Sequence, residues 1–302
     1  MWMNKLGLNR SCRILCKGGI ILKVIKYKEV KDFLIGAQKF LEETESVNNV
    51  ILGTCFKLAS NPGNIEKQPY FAVVSDENGI ILTAMITPPF PIALYSNKVD
   101  ITEAIELIVQ NLIAEKWTVS GVIAPLELSQ LFARIWAQNT GCDLIKGLDM
   151  RVYELVKVNK VHISSGKFRI GEKSDLEIIS RWIIDLEKDE GSNITEEKAI
   201  EIAQDKIKNK QLYIWEDKKP VSMACTARET KNGIVVNMVY TPKEYRRNGY
   251  ASSCVATLSQ YLLDKGYKFC SLFTDLSNTT SNEIYMRIGY KAVSDFQGYS
   301  FE

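Results

Sequence analysis

A short basic segment between a predicted strand and a predicted helix is the most chemically informative part of this sequence. Residues 234–240 form an apolar run typical of a strand, and residues 251–265 have the pattern of a helix, with Arg246, Arg247 and Gly249 between them. The first amides of a helix lack intrahelical partners, and the helix dipole adds roughly half a positive charge there. Such a turn suits a phosphate or pyrophosphate, although turns of this composition also occur without a ligand.

A second strand, turn and helix follow along the chain. Residues 269–275 predict a strand, and residues 276–282 are rich in Asn, Ser and Thr, which is typical of a turn before a helix. The short helix that follows contains Tyr285 and ends at Gly289, and a final strand is predicted after it.

These two motifs together resemble the acetyl-CoA-binding core of the GNAT superfamily of N-acetyltransferases over residues 234–301. The superfamily's pyrophosphate loop has the pattern Gln/Arg-x-x-Gly-x-Gly/Ala, which Arg246, Gly249 and Ala251 match position by position. Residues 281–290 resemble the helix that contains the family's catalytic tyrosine.

The sequence of residues 239–242 and 273–276 is similar to the corresponding segments of a bacterial group of predicted GNAT acetyltransferases with a degenerate amino-terminal half. One departure from that group is Thr279, where a proline usually follows the asparagine of the turn. The departure loosens the start of the helix and removes no ligand-contacting group.

The resemblance implies a set of site residues. Tyr285 would be the general acid that protonates the leaving thiolate, a role that suits the high pKa of a phenol. The backbone of Met238, Val239 and Tyr240 would bind the pantetheine arm and supply an oxyanion donor. The other implied cofactor contacts come from the pyrophosphate loop and the second turn: Arg246, Arg247, Asn248, Gly249, Tyr250, Ala251, Asn278 and Ser281.

Each of these roles has a structural alternative. The strand residues could be ordinary core residues, Tyr285 could serve packing, and Asn278 and Ser281 could cap the helix. The general base is open, because Val235 occupies the position where some relatives have a glutamate. A water chain or an acceptor that arrives neutral would serve equally well, and the nearest candidate carboxylates are Glu229, Asp275, Asp189 and Glu190.

Composition excludes several classes of protein. The 302 residues include 38 basic and 36 acidic side chains, and the net charge of +2 does not favour nucleic-acid binding. No apolar run has the length of a membrane span. Seven scattered cysteines without a close pair, and a single histidine, His162, predict a reducing cytoplasm, no disulfide framework and no metal site.

The chain contains the same plan twice, which predicts an α/β (α+β) tandem GNAT-like fold of two mixed twisted sheets flanked by helices. The hairpin predicted at residues 70–87 recurs at 212–228, and the strand, helix, glycine and strand pair of residues 118–155 recur at 268–301. The predicted domains are a degenerate GNAT-like domain, 23–158, a linker, 159–167, and an acetyltransferase domain, 168–302.

The first repeat differs from the second where the pyrophosphate loop should be. Residues 88–97 contain neither arginine nor glycine, and the helix that follows begins with the acidic residues Asp100 and Glu103. Negative charge at a helix start repels a pyrophosphate. We therefore expect the first half to keep the fold without the cofactor, as a scaffold, a wall over the acceptor site or a dimer surface.

The first 22 residues are predicted to be an extension of doubtful status. Residues 1–16 are basic and lack the core and cleavage site of a signal peptide. Lys17, Gly18 and Gly19 are what a translated ribosome-binding sequence yields, which predicts a true start near Leu22; a genuine extension is the alternative.

The resulting functional expectation is an acetyl-CoA-dependent N-acetyltransferase that transfers acetyl directly, in a ternary complex, to an amine of a small-molecule or amino-acid-like acceptor. A non-catalytic acyl-CoA sensor and an acyltransferase for longer acyl chains or glycine-like acceptors are the alternatives. The expected partner is the small amine, with a second copy of the chain as a further candidate and neither nucleic acid nor membrane.

Overall fold

The computed structural model describes residues 13–17, 20–61 and 67–302. The chain divides into two compact units, the first comprising Met1–Arg151 with Ser294–Glu302 and the second Val152–Val293. The predicted domain limits stay a prediction. The compact units differ from them most at the end of the chain, where the last residues group with the first unit.

The first unit begins with a single strand and then follows the order strand, two helices, three strands, helix, strand, helix, strand. Its elements are β1 (Arg13–Lys17), β2 (Ile20–Tyr27), α1 (Val30–Leu41), α2 (Asn49–Ser60), β3 (Tyr70–Ser75), β4 (Ile80–Ile86), β5 (Ile92–Tyr95), α3 (Thr102–Ala114), β6 (Gly121–Pro125), α4 (Leu126–Thr140) and β7 (Leu144–Leu155).

The second half of the chain repeats that order from β2 onward. Its elements are β8 (Lys167–Ile170), α5 (Leu176–Asp189), α6 (Glu196–Lys208), β9 (Leu212–Asp217), β10 (Lys219–Ala227), β11 (Gly233–Tyr240), α7 (Tyr250–Asp264), β12 (Phe269–Asp275), α8 (Thr279–Ile288) and β13 (Lys291–Phe301). The last strand, β13, belongs to the first unit from Ser294 to its end. The internal repeat predicted from the sequence is therefore present as a repeat of element order.

Local chemistry explains several helix ends. The Thr195 side chain accepts a hydrogen bond from the Lys198 amide at the start of α6, as an N-cap residue does. Gly141 and Gly289 end α4 and α8 in the left-handed conformation, with φ of 74° and 118°. That conformation costs glycine little, which is why these residues were readable as helix ends from the sequence.

The first unit is a sheet with helices on both faces. Its strands lie in the order β1, β2, β3, β4, β5, β6, and β13 lies next to β6. The carboxy-terminal part of β13 pairs antiparallel with β6, with Phe296 opposite Pro125 and Ser300 opposite Gly121. Phe301 stacks there on Phe132 and Trp136, so the last residues complete the first unit's core.

The second unit has the same layered construction. The end of β7 (Val152–Leu155) falls in this unit, and its sheet continues in the order β12, β11, β10, β9, β8. Helices α7 and α8 pack on one face of this sheet, and α5 and α6 pack on the other. Side chains of one strand alternate between the two faces, which is the pattern of a sheet buried on both sides.

Some predicted elements need correction. The strand pair predicted over residues 144–155 is one continuous strand, β7. Strands β2, β5 and β8 were not predicted, because β5 follows a proline-rich stretch and β8 has only four residues, too few for an alternation to show. The predicted linker is hydrogen-bonded to α7, α8 and β9 over Asn159–Ser165.

The predicted extension falls partly outside the described residues, which begin at Arg13 and omit 18–19. Its described part forms strand, because β1 pairs antiparallel with β2, and Leu22 and Val24 are buried in the first unit. The predicted start near Leu22 stays a prediction. Among the described residues, none of the helices has the length and hydropathy needed to cross a membrane.

We expect Phe301→Ala to lower the free energy of unfolding by about 1.5–3 kcal/mol, because a half-buried aromatic side chain would leave a stack of two rings. Val293→Ala, at a side chain that is 43% exposed, is the control and should change that free energy by less than about 0.5 kcal/mol. Urea unfolding measures both values. Equal losses would mean that the last strand contributes nothing specific to the first unit.

Candidate active site

The site in the second unit begins where two parallel strands separate. Paired residues of β11 and β12 run from Gly233 and Phe269 to Val235 and Ser271. Both strands continue beyond this point, β11 to Tyr240 and β12 to Asp275. The backbone groups of β11 beyond Val235 therefore face an opening on that side, in which an extended chain could add to the strand.

A bulge lies at the same place. Met238 has a φ of 50°, in the left-handed region that a long side chain rarely adopts, and the pairing of β10 with β11 shifts register between Cys225 and Met223. Two buried polar atoms near the opening, Asn237 Oδ1 and Ser271 Oγ, have no hydrogen-bond partner. Strain and unpaired buried groups of this kind cluster at functional sites.

The basic segment predicted to bind a pyrophosphate forms a tight turn onto α7. A single 3-10 turn, Lys243–Tyr245, leads into it, and Arg247 and Gly249 have φ values of 66° and 77°. Gly249 is the N-cap residue of α7, and Tyr250 begins the helix. The turn thus presents the free first amides of a long helix, as the sequence predicted.

The segment predicted to be a linker, residues 159–167, supports this turn. Ser164 Oγ donates a 2.7 Å hydrogen bond to the carbonyl of Asn248, and the Ser164 amide donates to Ser253 Oγ on α7 at 2.9 Å. A Cβ added at Gly249 would lie 2.7 Å from Ser164 Oγ. Because a trans peptide points its carbonyl and amide in opposite directions, binding the Asn248 carbonyl turns the Gly249 amide away from Ser164.

The two arginines of the turn have different surroundings. Arg246 donates to the carbonyl of Thr241 at 2.9 Å and to Asp189 Oδ2 at 2.5 Å, and its guanidinium carbon lies 5.8 Å from the centre of the Tyr240 ring. Arg247 is exposed and makes no hydrogen bond or ion pair within the described residues. Arg247 is therefore the arginine that is free to bind an anion.

Asparagines hold the second predicted turn. The side chain of Asn278 accepts a hydrogen bond from the Ser281 amide and caps α8, which supports the capping role considered for these residues. Asn282 donates to the carbonyls of Asp275 and Asn278 and accepts from the Tyr153 hydroxyl. The start of α8 is thereby tied to the end of β12 although Thr279 replaces the usual proline.

Tyr285 lies on α8 and is 8% exposed. Its ring packs edge to face on Tyr290 at 5.9 Å, and its hydroxyl has no hydrogen-bond partner within the described residues. Burial, with a smaller contribution from the carboxylate of Glu190, raises the pKa of Tyr285 above its ordinary value. The phenol is therefore protonated at neutral pH and able to donate.

The candidate bases separate by their surroundings. Arg246 and Lys243 hold the pKa of Asp189 below its ordinary value, so this carboxylate is a poor base. Glu229 accepts a hydrogen bond from the Tyr267 hydroxyl, and Asp275 accepts from the Ser277 amide. Glu190 is exposed as a whole residue, but desolvation of its carboxyl by the neighbouring groups, followed by repulsion from Glu187, Asp189 and Asp275, raises its pKa, which favours proton uptake.

All the residues that the sequence predicted for the site lie in the second unit. Tyr250 donates from its hydroxyl to Asp217, and Ala251 lies in the first turn of α7. Sequence reasoning missed the supporting roles of Ser164 and Asp217, which lie far from the turn along the chain and match no local motif. His162 is exposed, and no described group of three His, Cys, Asp or Glu side chains could hold a metal ion.

Comparison with known proteins agrees with this architecture. The chain superposes on an acetyltransferase from the GNAT family of Colwellia psychrerythraea with a TM-score of 0.58 and 11% identity, covering 92% of this chain and 99% of that one. A GCN5-related N-acetyltransferase from Sphaerobacter thermophilus gives a TM-score of 0.60 and 12% identity, covering 91% and 94%.

A tandem GNAT protein from the clavulanic acid biosynthesis pathway gives a TM-score of 0.55 at 10% identity over 92% of this chain and 97% of that one. At such low identity these likenesses show the fold. The chain therefore has the fold of the GNAT acetyltransferases, and the tandem GNAT-like class predicted from the sequence is confirmed.

At the level of sequence families, residues 216–297 match the family described as FR47-like protein. That segment runs from β9 to β13 and contains both motifs on which the GNAT resemblance rested. The resemblance is therefore confirmed in the second half of the chain. No curated protein sequence is significantly similar to this chain.

We expect Gly249→Ala to destabilise the protein more than Gly191→Ala, although the two glycines have φ values of 77° and 79°. Both changes incur the cost of a left-handed alanine, about 1–2 kcal/mol. At Gly249 the added methyl would also displace Ser164 from Asn248, and the lost hydrogen bond should cost about 1 kcal/mol more. At Gly191 no atom lies within 4 Å of an added Cβ, so no such loss is expected.

Urea unfolding of both variants tests this difference. In a Ser164→Ala background the excess loss at Gly249 should disappear, because the hydrogen bond is already absent. Equal losses at the two glycines in the parent protein would mean that Ser164 does not support the turn.

Proposed function

We propose that this chain is an acetyl-CoA-dependent N-acetyltransferase that acts on an amine of a small-molecule or amino-acid-like acceptor. The observation that supports this best is the separation of β11 from β12 beyond Val235, beside a helix that begins at a left-handed glycine. An extended arm and a terminal anion are the two parts of a ligand that such a pair of features suits.

The chain's residues fit the parts of coenzyme A. The first amides of α7 and the unpaired Arg247 would hold the pyrophosphate, which suits their positive charge. The backbone of Met238, Val239 and Tyr240 would hold the pantetheine arm in the opening, where Asn237 Oδ1 and Ser271 Oγ already lack partners. Acetyl-CoA supplies an activated acyl group as its thioester.

The remaining chemistry falls to residues near the opening. A backbone amide at the bulge would donate to the thioester carbonyl oxygen, a contribution typically worth a few kcal/mol. The Tyr285 hydroxyl, protonated and without a partner, would give its proton to the leaving sulfur. Its burial prevents competition from solvent for that proton.

We propose Glu190 as the general base that takes the proton of the acceptor amine. Its raised pKa brings it closer to the operating pH, and its electrostatic effect on both Tyr285 and Asp275 reflects a position near α8 and the end of β12. Asp189 is not proposed as the base, because it forms an ion pair with Arg246 and thereby holds the turn.

Binding of acetyl-CoA is the first expected outcome, with a micromolar dissociation constant by isothermal titration calorimetry. Gly249→Asp should abolish it, because a carboxylate would repel the pyrophosphate at the start of α7. Gly191→Asp is the matched control, at a glycine with the same φ and open surroundings, and should bind normally. Failure of the parent protein to bind would contradict the proposal.

Catalysis should separate from binding in Tyr285→Phe. We expect kcat for an accepted amine to fall by 10²-fold or more with acetyl-CoA affinity unchanged, because only proton donation is lost. Tyr261→Phe, on α7 with its ring packed against Phe168 and Tyr213, is the control and should keep full activity. Full activity in Tyr285→Phe would remove this residue from the mechanism.

The pH profile tests Glu190. Because desolvation raises the pKa of this carboxyl, kcat/KM should rise with pH through a value above that of an ordinary glutamate. In Glu190→Gln the rate should fall about 10²-fold and the rising limb should vanish. Glu201→Gln, on the exposed face of α6, should keep the parent profile. An unchanged limb in Glu190→Gln would assign the base to another group.

A further inference from the structure

A cavity of about 510 Å³ opens within the second unit, next to the loop that leads from β11 to the turn proposed to hold the pyrophosphate. One wall is α5, from Ile178 to Asp189, and the other walls are the first residues of β10 and that loop. The lining side chains used in the argument below are Trp182, Asp185, Asp189, Lys219, Tyr240 and Tyr245. Volumes of 300–1,000 Å³ are typical of small-ligand sites.

Two aromatic side chains with polar groups, Trp182 and Tyr240, line the cavity. Trp182 is 5% exposed and Tyr240 is 6% exposed, and their ring centres lie 6.2 Å apart. Neither the indole N–H of Trp182 nor the hydroxyl of Tyr240 makes a hydrogen bond within the described residues. Both groups reach the open space of the cavity, so each is available to make a hydrogen bond to a ligand.

Charged side chains of both signs line the cavity: exposed Arg181 and Lys188 lie on the α5 wall beside Asp185 and Asp189, and Lys243 and Glu244 lie on the loop after β11. Asp189 is neutralised by Arg246 and Lys243, which leaves Asp185 as the half-buried carboxylate of the α5 wall without a partner in the described chain. The electrostatic effect of Asp185 reaches the Tyr240 hydroxyl and contributes, after burial, to raising its pKa. A carboxylate beside two aromatic faces is a site for an ammonium group.

The basic side chain that the argument uses lies on another wall. Lys219, the first residue of β10, lies with its Nζ 5.0 Å from the centre of the Tyr245 ring. An ammonium group has three donors, and a contact with one ring leaves donors for an anion. Because Asp185 and Lys219 belong to different walls, one bound molecule with two opposite charges could meet both.

We propose that this cavity binds the zwitterionic head of an amino-acid-like acceptor, with its ammonium against Asp185, Trp182 and Tyr240 and its carboxylate against Lys219. The inference rests on the proposed function, because Tyr240 lies two residues from the Met238 bulge at the transfer site. Head binding in the cavity would leave the rest of the molecule to extend toward that bulge.

The position of the charges also restricts which amine reacts. An ammonium held beside a carboxylate stays protonated, because the neighbouring negative charge favours the charged form. A protonated amine is not a nucleophile. The acetylated amine is therefore a second one on the same molecule, and the acceptor class is a diamino acid or a compound with the same head and a separate amine.

Direct titration tests the cavity with L-lysine, L-ornithine and L-2,4-diaminobutyrate as probes. We expect at least one of them to bind the parent protein with a dissociation constant below about 10 mM. Asp185→Asn and Lys219→Met should each weaken that binding about tenfold or more. The matched controls, Asp205→Asn and Lys208→Met on the exposed side of α6, should leave it unchanged.

Two analogues of lysine test the two proposed charge contacts, with Asp185 and with Lys219, one at a time. Cadaverine lacks the carboxylate and 6-aminohexanoate lacks the α-ammonium, so each should bind at least tenfold more weakly than lysine. Absence of binding by all three diamino acids, equal binding of either analogue, or full binding in Asp185→Asn would overturn the inference. Far-UV circular dichroism and an unfolding midpoint close to that of the parent show that each variant is folded.

Acetyl-CoA titration of the same variants separates this inference from the proposed function. If diamino acids fail to bind while acetyl-CoA binds, the cavity inference falls and the proposed activity stands. If acetyl-CoA fails to bind while a diamino acid binds with the expected dependence on Asp185 and Lys219, the ligand site stands and the proposed activity falls.

Discussion

The constraint on which the second unit depends is the early end of the pairing between two parallel strands. Once β11 leaves β12 after Val235, its backbone groups on that side need another partner, because buried peptide groups are costly when unpaired. The bulge at Met238 and the unpaired atoms of Asn237 and Ser271 lie at the same place. A ligand that adds an extended chain there would satisfy groups that the sheet leaves open.

Much of the surrounding structure keeps this opening in place. Ser164 fixes the peptide before Gly249, and Arg246 ties the same turn to Asp189 at the end of α5. Asn282 ties the start of α8 to the end of β12 on the other side of the opening. The charged residues of the loop therefore divide into two kinds: Arg246 is engaged in holding the turn, whereas Arg247 is free for an anion.

The first unit shows what the same fold looks like with a different loop. Its fourth sheet strand in the repeat, β5, is followed by a helix whose first turn contains Glu103 and whose approach lacks arginine and glycine. Negative charge at that helix start opposes anion binding, so the absence of a cofactor site from the first half stays a prediction. Its core instead receives the last strand of the chain, with Phe296 and Gln297 buried beside β6.

The sequence by itself determined most elements, their repeated order and the two motifs, because hydrophobic periodicity and turn residues such as Gly141, Gly249 and Gly289 act locally. It also pointed to Tyr285 through its place in a motif. Only the tertiary structure decided that β13 completes the first unit, that the predicted linker holds the anion turn, and that Asp189 pairs with Arg246 while Asp185 does not. Those outcomes depend on packing between residues far apart in the chain. Which of these two carboxylates of α5 forms an ion pair depends on Arg246, which is distant in sequence and is brought to Asp189 by the fold.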